Sequence, residues 1–258
     1  MLGLFRDLYR YRELIWVLAL KELKVRYKRS VLGFLWALLH PLMMMAVLSV
    51  VFSYVFRFNV EHYPIFLICT MFPWVFFSQS MAYAVESIVS NGSLLKKIYV
   101  PKVVFPAAAV LANLINFLLS LIPLALLLLA FRFPFYATWS FLPVPLLALI
   151  LFTLGCGFFF ATLNVFMHDV HHIVTILLQA WFYLSPVLWD FTIVDPKFHM
   201  IFRWNPMLYI LNGFRLSIYH GQLPSAASIF MSLASGVVAL ILGYAIFRRY
   251  QKLFPLYV

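Results

Sequence analysis

The feature that most constrains this chain is a series of long apolar runs. Several approach or exceed the ~20 residues that an α-helix needs to cross a ~30 Å hydrocarbon layer. Of the 258 residues, 65% are hydrophobic and only 10% are charged, against roughly 25% charged in a soluble domain. An ordinary water-facing surface cannot be assembled from that supply. Alternation with period two is absent, which argues against an outer-membrane barrel. The sequence predicts an all-α polytopic membrane protein.

Six spans are expected, over residues 33–56, 64–89, 107–131, 143–166, 173–189 and 226–247, within a single transmembrane domain covering 1–258. Residues 1–32 are rich in Arg and Lys and no small-residue cleavage pattern follows an early apolar run, so no signal peptide is expected. An even number of spans puts both termini on one side, and the basic residues choose it. On the terminal side lie Arg6, Arg10, Arg12, Lys21, Lys24, Arg26, Lys28, Arg29, Lys96, Lys97, Lys102, Arg248, Arg249 and Lys252. Only Arg57, Arg132, Lys197, Arg203 and Arg215 fall on the other. The positive-inside bias therefore predicts cytoplasmic termini. The net charge of +11 belongs to this topology and to anionic lipid, not to nucleic acid.

Three connections differ from plain loops. Residues 12–32 form a basic helical stretch whose Trp16, Leu20, Leu23 and Tyr27 recur at helical spacing, with Lys21, Lys24 and Lys28 on a neighbouring face. Such a helix lies in the cytoplasmic interface beside anionic headgroups. Residues 190–222 are semi-apolar but broken by Pro196, Pro206, Gly213 and Gly221. They read as two re-entrant half-helices forming an external cap, a backbone that must be covered by protein or line a watery cavity. The stretch "NGSLLKKIYVPK", residues 91–102, is short, basic and free of acid. Leu94, Leu95, Ile98 and Tyr99 fall on one arc of a short helix there, with Lys96 and Lys97 opposite, and Pro101 and Pro106 ending it.

Chemistry-bearing motifs are scarce. No G-x-x-x-x-G-K-[ST], H-E-x-x-H or G-x-S-x-G occurs, so the chain has no P-loop and no recognisable hydrolytic centre. "MHDVHH" at 167–172 offers His168 and His172 at i, i+4, but a polar inter-helix turn explains it better than a metal site. Cys69 and Cys156 lie in apolar runs as small hydrophobes. Among intramembrane ionisable groups Glu86 alone stands out, one turn from a span end, where snorkelling or a basic partner accounts for it. Proton or sodium carriers need more. Aromatic residues, by contrast, are dense in "MFPWVFFSQS" and "QAWFYLSPVLW". Interfacial belts explain part of this, and aromatic faces also pack against the C–H faces of sugars. Two small-xxx-small pairs, Gly157 with Ala161 and Ala239 with Gly243, permit close helix approach.

An ordered set of segments is more specific. "RELIW…LKVRYKRSVLGFLWALLHPL" (12–42), "FPWVFF" (72–77), "LNVFMHDV" (163–170), "SPVLW" (185–189) and "WNPM" (204–207) together resemble the permease subunit of bacterial type-2 ABC exporters for polysaccharides. That family exports O-antigen, teichoic acid and capsule-like glycans. The resemblance implies an inner-membrane homodimer working with two copies of a cytoplasmic ABC ATPase, which uses the ATP and Mg that this chain does not bind. It also implies a lipid-linked polysaccharide, most simply O-antigen, threaded through a channel.

In those terms residues 91–102, through Leu94, Leu95, Lys96, Lys97, Ile98 and Tyr99, look like the coupling helix that contacts the ATPase. The expected channel lining is Trp36, Phe72, Trp74, Phe77, Trp181 and Tyr183, and separation of the first and fifth spans opens the pore. Rival readings are a type-2 exporter of teichoic acid, lipid or drug, and a membrane enzyme acting on lipid-linked sugars.

Overall fold

The computed structural model describes residues 2–26, 28, 30, 32–33, 35–52, 60–97 and 100–258, with side chains omitted at Leu2, Ala37, Leu38 and Pro41. Tyr27, Ile98, Tyr99 and the last part of the expected first span fall outside them. Every regular element among the described residues is helical. Twelve α-helices follow in order: α1 Leu2–Arg10, α2 Arg12–Arg26, α3 Leu35–Val50, α4 Tyr63–Glu86, α5 Gly92–Lys97, α6 Val104–Ala130, α7 Pro143–Phe166, α8 Val170–Leu184, α9 His199–Arg203, α10 Pro206–Arg215, α11 Ala226–Tyr250 and α12 Phe254–Tyr257.

Four stretches are long and apolar enough to cross a membrane, comprising α4, α6, α7 with the turn before it, and α11. They match the second, third, fourth and sixth expected spans. The other two differ. The first is represented by α3, 16 residues long, and its expected end lies beyond the described residues. The fifth stops early: α8 ends at Leu184 after 15 residues, about 22 Å at 1.5 Å per residue. Pro186 explains the stop, because proline disfavours the α region for the residue before it, and Ser185 is extended.

The helices alternate in direction, giving the bundle two ends. The basic end carries α1, α2, α5, α12 and the α7–α8 turn. The cap end carries residues 185–222. Between them the tightest seam joins α7 to α11. A Cβ on Gly155 would collide with the backbone of Ala239, and one on Gly243 with the backbone of Gly155. One on Gly236 would lie 2.7 Å from the Ala148 carbonyl. The Ala239–Gly243 pair thus finds its partner in Gly155, while Gly157 faces Ala84 of α4. Small residues let backbones approach where lipid supplies no hydrophobic drive for helix association.

The interfacial stretch splits its residues differently from the sequence stripe. α2 buries Ile15, Ala19 and Leu23 and packs on α6. Trp16 is exposed and Leu20 half-buried, so Leu23 alone of the described stripe residues is buried in the protein.

Candidate functional site

Three arrangements carry the functional residues. The first is an aromatic wall between α4, α7 and α8. Trp74 and Phe77 lie one turn apart on α4, with ring centroids 5.6 Å apart. Trp181 of α8 meets both edge-on, at 6.3 Å and 5.4 Å, and Phe152 of α7 closes the group at 5.7 Å from Phe77. Phe72, Trp74 and Phe77 are buried within the chain, and Trp181 is half-buried. Trp36 and Tyr183 are 45% and 68% exposed. The six aromatic residues expected to line a channel therefore divide into a packed wall and two open rings.

The second arrangement sits at the cap end, around Arg215, which the sequence analysis placed only among the basic residues on the side opposite the termini. Arg215 is fully buried, 0% exposed. Its Nη1 donates to the Trp189 carbonyl at 2.9 Å. Its Nη2 donates to the Val187 carbonyl at 3.0 Å and to Thr70 Oγ1 at 3.2 Å, and the guanidinium stands 4.0 Å over the Phe66 ring. Tyr63 donates to the Leu188 carbonyl at 3.0 Å and Thr70 to that of Val187 at 3.0 Å. The cause is plain. Pro186 breaks the helix, and non-helical backbone away from water must find side-chain donors. Arginine suits this because its fork presents several donors at once.

Asn205 completes the cap. Its side chain accepts from Met207 N at 3.0 Å, capping α10, and from Trp181 Nε1 at 2.9 Å. Its Nδ2 donates to the Leu184 carbonyl and Ser185 Oγ, both at 3.1 Å. The "WNPM" and "SPVLW" segments are thus one hydrogen-bonded unit. α10 packs against α4, α7 and α11, whereas α9 and the residue after it leave Met200, Ile201 and Trp204 exposed. The sequence signal for Arg215 was a lone cation inside the apolar run 207–219, the pattern that marks a buried, partnered charge.

The third arrangement is at the basic end. In α5, Lys96 and Lys97 are exposed, but Leu95 is only 8% exposed. It belongs to an apolar core with Leu4, Ile15, Ile88, Phe158, Phe247 and Phe254. A Cβ on Gly92 would strike Val258, because α12 packs on α5. Leu95 is therefore committed to the chain's own interior, and the basic residues form the outward face. Nearby, Arg26 Nη1 donates to Asn113 Oδ1 at 2.9 Å and its guanidinium lies 3.7 Å from the centre of the Tyr83 ring. Glu22 pairs with Arg26 at 3.4 Å, and burial still raises the Glu22 carboxyl above its usual pKa. Glu86 finds a partner in His171 Nδ1 at 3.3 Å. Among the described residues no three His, Cys, Asp or Glu side chains converge as a metal-ligand set.

Residues 13–219 match the ABC-2 type transporter family. The O-antigen export system permease protein RfbA of Myxococcus xanthus is 35% identical over 98% of both chains. The protein of that name from Klebsiella pneumoniae is 29% identical, over 94% of this chain and 93% of its own. The polysialic acid transport protein KpsM of Escherichia coli is 23% identical over 91% of this chain and 92% of its own. A family match across most of the length, joined to four membrane-length helices, leads to one conclusion: this chain belongs to the ABC-2 type transporter family and is a multi-pass membrane protein.

Proposed function

We propose that the chain is the membrane-spanning permease of an ATP-driven exporter that moves a lipid-linked polysaccharide, most simply O-antigen, from the cytoplasm across the inner membrane. The observation that carries this reading is the near full-length likeness to a relative named an O-antigen export permease. The likeness to a polysialic acid transporter keeps a capsule-type glycan as the second reading.

The working unit is a homodimer with two ATPase subunits, which bind ATP and Mg. Six spans place both termini in the cytoplasm, with α3 and α8 as the first and fifth, α2 in the interface and residues 190–222 re-entering from outside. Residues 91–102 receive the ATPase. Because Leu95 is committed to the interior, the contact falls to Lys96, Lys97 and the segment around them. Phe72, Trp74, Phe77 and Trp181 form the wall of the path, and Trp36 and Tyr183 present open rings to the glycan.

Deleting the gene and following the polymer tests the reading. Lipid-linked glycan accumulates in the cytoplasm and surface glycan disappears, and the ATPase co-purifies with the restored chain. Unchanged surface glycan would refute it. The double substitution Lys96→Glu with Lys97→Glu is expected to weaken ATPase association without unfolding the chain.

A further inference from the structure

The seam between α4 and α6 carries polar groups that apolar helix packing does not call for. On α6, Asn113, Asn116 and Ser120 recur at i, i+3 and i+7 and so share one face. All three are buried. Asn113 donates to the Ala109 carbonyl at 2.9 Å and accepts from Arg26 at 2.9 Å. The Ser120 hydroxyl donates to the Phe117 carbonyl at 2.6 Å. Asn116 is the exception. It is only 8% exposed, and neither its Nδ2 nor its Oδ1 has a hydrogen-bond partner among the described residues.

Its depth makes this costly. Asn116 stands twelve residues past Val104, the first residue of α6, about 18 Å along the helix axis. That position is well inside a hydrocarbon layer ~30 Å thick, where bulk water cannot pair an amide. A side-chain amide has two donors and one acceptor oxygen, and burying them unpaired is strongly unfavourable. In native folds such groups are paired by protein or by ordered water.

Space for a water lies beside the amide. A cavity of about 20 Å³ is enclosed by Phe72, Phe76 and Gln79 of α4 and by Asn116, Phe117 and Ser120 of α6. One water needs ~10–15 Å³, so the cavity takes one molecule and nothing much larger. The lining also supplies partners. The Ser120 hydroxyl has spent its proton on Phe117, so its oxygen can only accept. Gln79 makes no hydrogen bond among the described residues and offers a donor and an acceptor from the α4 side. Ions suit the space less well. A sodium ion would find neutral oxygens without a carboxylate, and the Arg26 cation holds Asn113 one turn away. An anion would give up its hydration among three phenylalanine rings.

We propose that the α4–α6 seam is a binding site for one internal water, which accepts from Asn116 Nδ2, donates to Ser120 Oγ and bonds the Gln79 amide. The water joins the two helices within the hydrocarbon layer, at a level where their side chains make no direct hydrogen bond to each other. Gln79 also lines the larger space beside Tyr83 and His171 at the basic end, and through it water reaches the seam. The site is independent of the polymer that the chain carries.

Radiolytic oxygen labelling of the full chain in membranes tests the site. A brief X-ray pulse splits water, and buried rings beside a bound water are hydroxylated although bulk solvent does not reach them. Phe72, Phe76 and Phe117 are all buried. Phe158 is fully buried in an apolar core and serves as the control. Hydroxylation of one or more of the three above the level of Phe158 is the expected result. Asn116→Leu, close in size and without the amide, should abolish that excess and leave Phe158 unchanged. Gln79→Leu should reduce it. Labelling no higher than at Phe158 overturns the site, and so does an excess that persists in Asn116→Leu. A thermal midpoint that shifts when choline replaces sodium, and no longer does so in Asn116→Leu, would identify a cation in the seam and equally overturn the proposal. The wild-type labelling decides by itself, so a variant that fails to fold leaves the test intact.

Discussion

The two ends of the bundle are built by opposite means. At the cap end, broken backbone at residues 185–189 is held by polar side chains, with Arg215 donating to two carbonyls and one hydroxyl. At the basic end, α1, α5, α7, α11 and α12 share an apolar core in which Leu4, Phe158, Phe247 and Phe254 are buried without a hydrogen bond between them. Hydrogen bonds are directional and are lost when an element shifts by an ångström or two. Dispersion contacts are many, small and tolerant of sliding. The cap is thus a hydrogen-bonded latch, and the basic end an apolar block. Leu95 of α5 and Phe254 of α12 share that block with α7 and α11.

Removing the latch should have the largest effect. Arg215→Ala abolishes three charge-assisted hydrogen bonds, each worth ~1.5–3 kcal/mol, and leaves the Val187 and Trp189 carbonyls with no guanidinium donor. A loss of about 5 kcal/mol is expected, read as a sharp fall in the thermal midpoint of the detergent-purified protein. Arg215→Lys should rescue little, since a single ammonium cannot span acceptors on both sides. Full rescue by lysine would show that the charge alone matters and that the latch geometry does not.

Opening the apolar block comes next. Phe254 is fully buried, packed 5.2 Å from Phe247 and 6.3 Å from Phe166. Phe254→Ala removes that ring and is expected to lose about 3 kcal/mol, releasing α12 from α5. If α5 moves with the block, the same variant uncouples ATP hydrolysis from export while the cap stays intact. Normal coupling in Phe254→Ala would mean that α5 acts independently of the C-terminal helix.

Much of this frame was legible in the sequence, for physical reasons. Length and hydropathy identify α4, α6, α7 and α11, because crossing a bilayer demands a minimum run of apolar residues. The end of α8 was written only in Pro186 and not in hydropathy. "SPVLW" is apolar enough to extend a span, and hydropathy is blind to a backbone break that side chains satisfy from 125 residues away, as Tyr63 does for Leu188. Arg215 was missed for the same reason, since its acceptors come from α4 and from the break. The basic face of α5 was readable from its charges. That Leu95 turns inward depends on α12, which no local pattern of residues 91–102 contains. The aromatic segments were conspicuous, but which rings are walled in and which stay open is decided by packing between α4, α7 and α8.

A finer cut separates the latch from its support. Thr70 both accepts from Arg215 and donates to Val187. Thr70→Val preserves shape and deletes the hydroxyl, leaving Arg215 its two carbonyl bonds. About 1 kcal/mol is expected, measured as a modest shift in the thermal midpoint. A loss as large as that of Arg215→Ala would make Thr70, not the arginine, the centre of the latch.

Acidity should move the two ends in opposite directions, the smallest and most diagnostic effect. On the cap side, burial holds the His220 pKa below its usual value despite Asp190 3.9 Å away. The folded state then resists the proton that the unfolded chain accepts near pH ~6.5, so this contribution to stability is present above that pH and fades as pH falls. On the basic side, burial raises the Glu22 carboxyl more than Arg26 lowers it. The unfolded chain ionises first, from about pH 4.3 upward, so stability from Glu22 is complete below that pH and declines as pH rises toward the folded pKa. Amide exchange in α2 and in residues 216–222, followed from pH 7 to 4, reads both ends in one sample. Protection should grow in α2 and shrink in 216–222. His220→Gln should flatten the second trend and Glu22→Gln the first, each without touching the other. Two trends of the same sign would mean that the ends are coupled through the bundle and do not respond as separate structures.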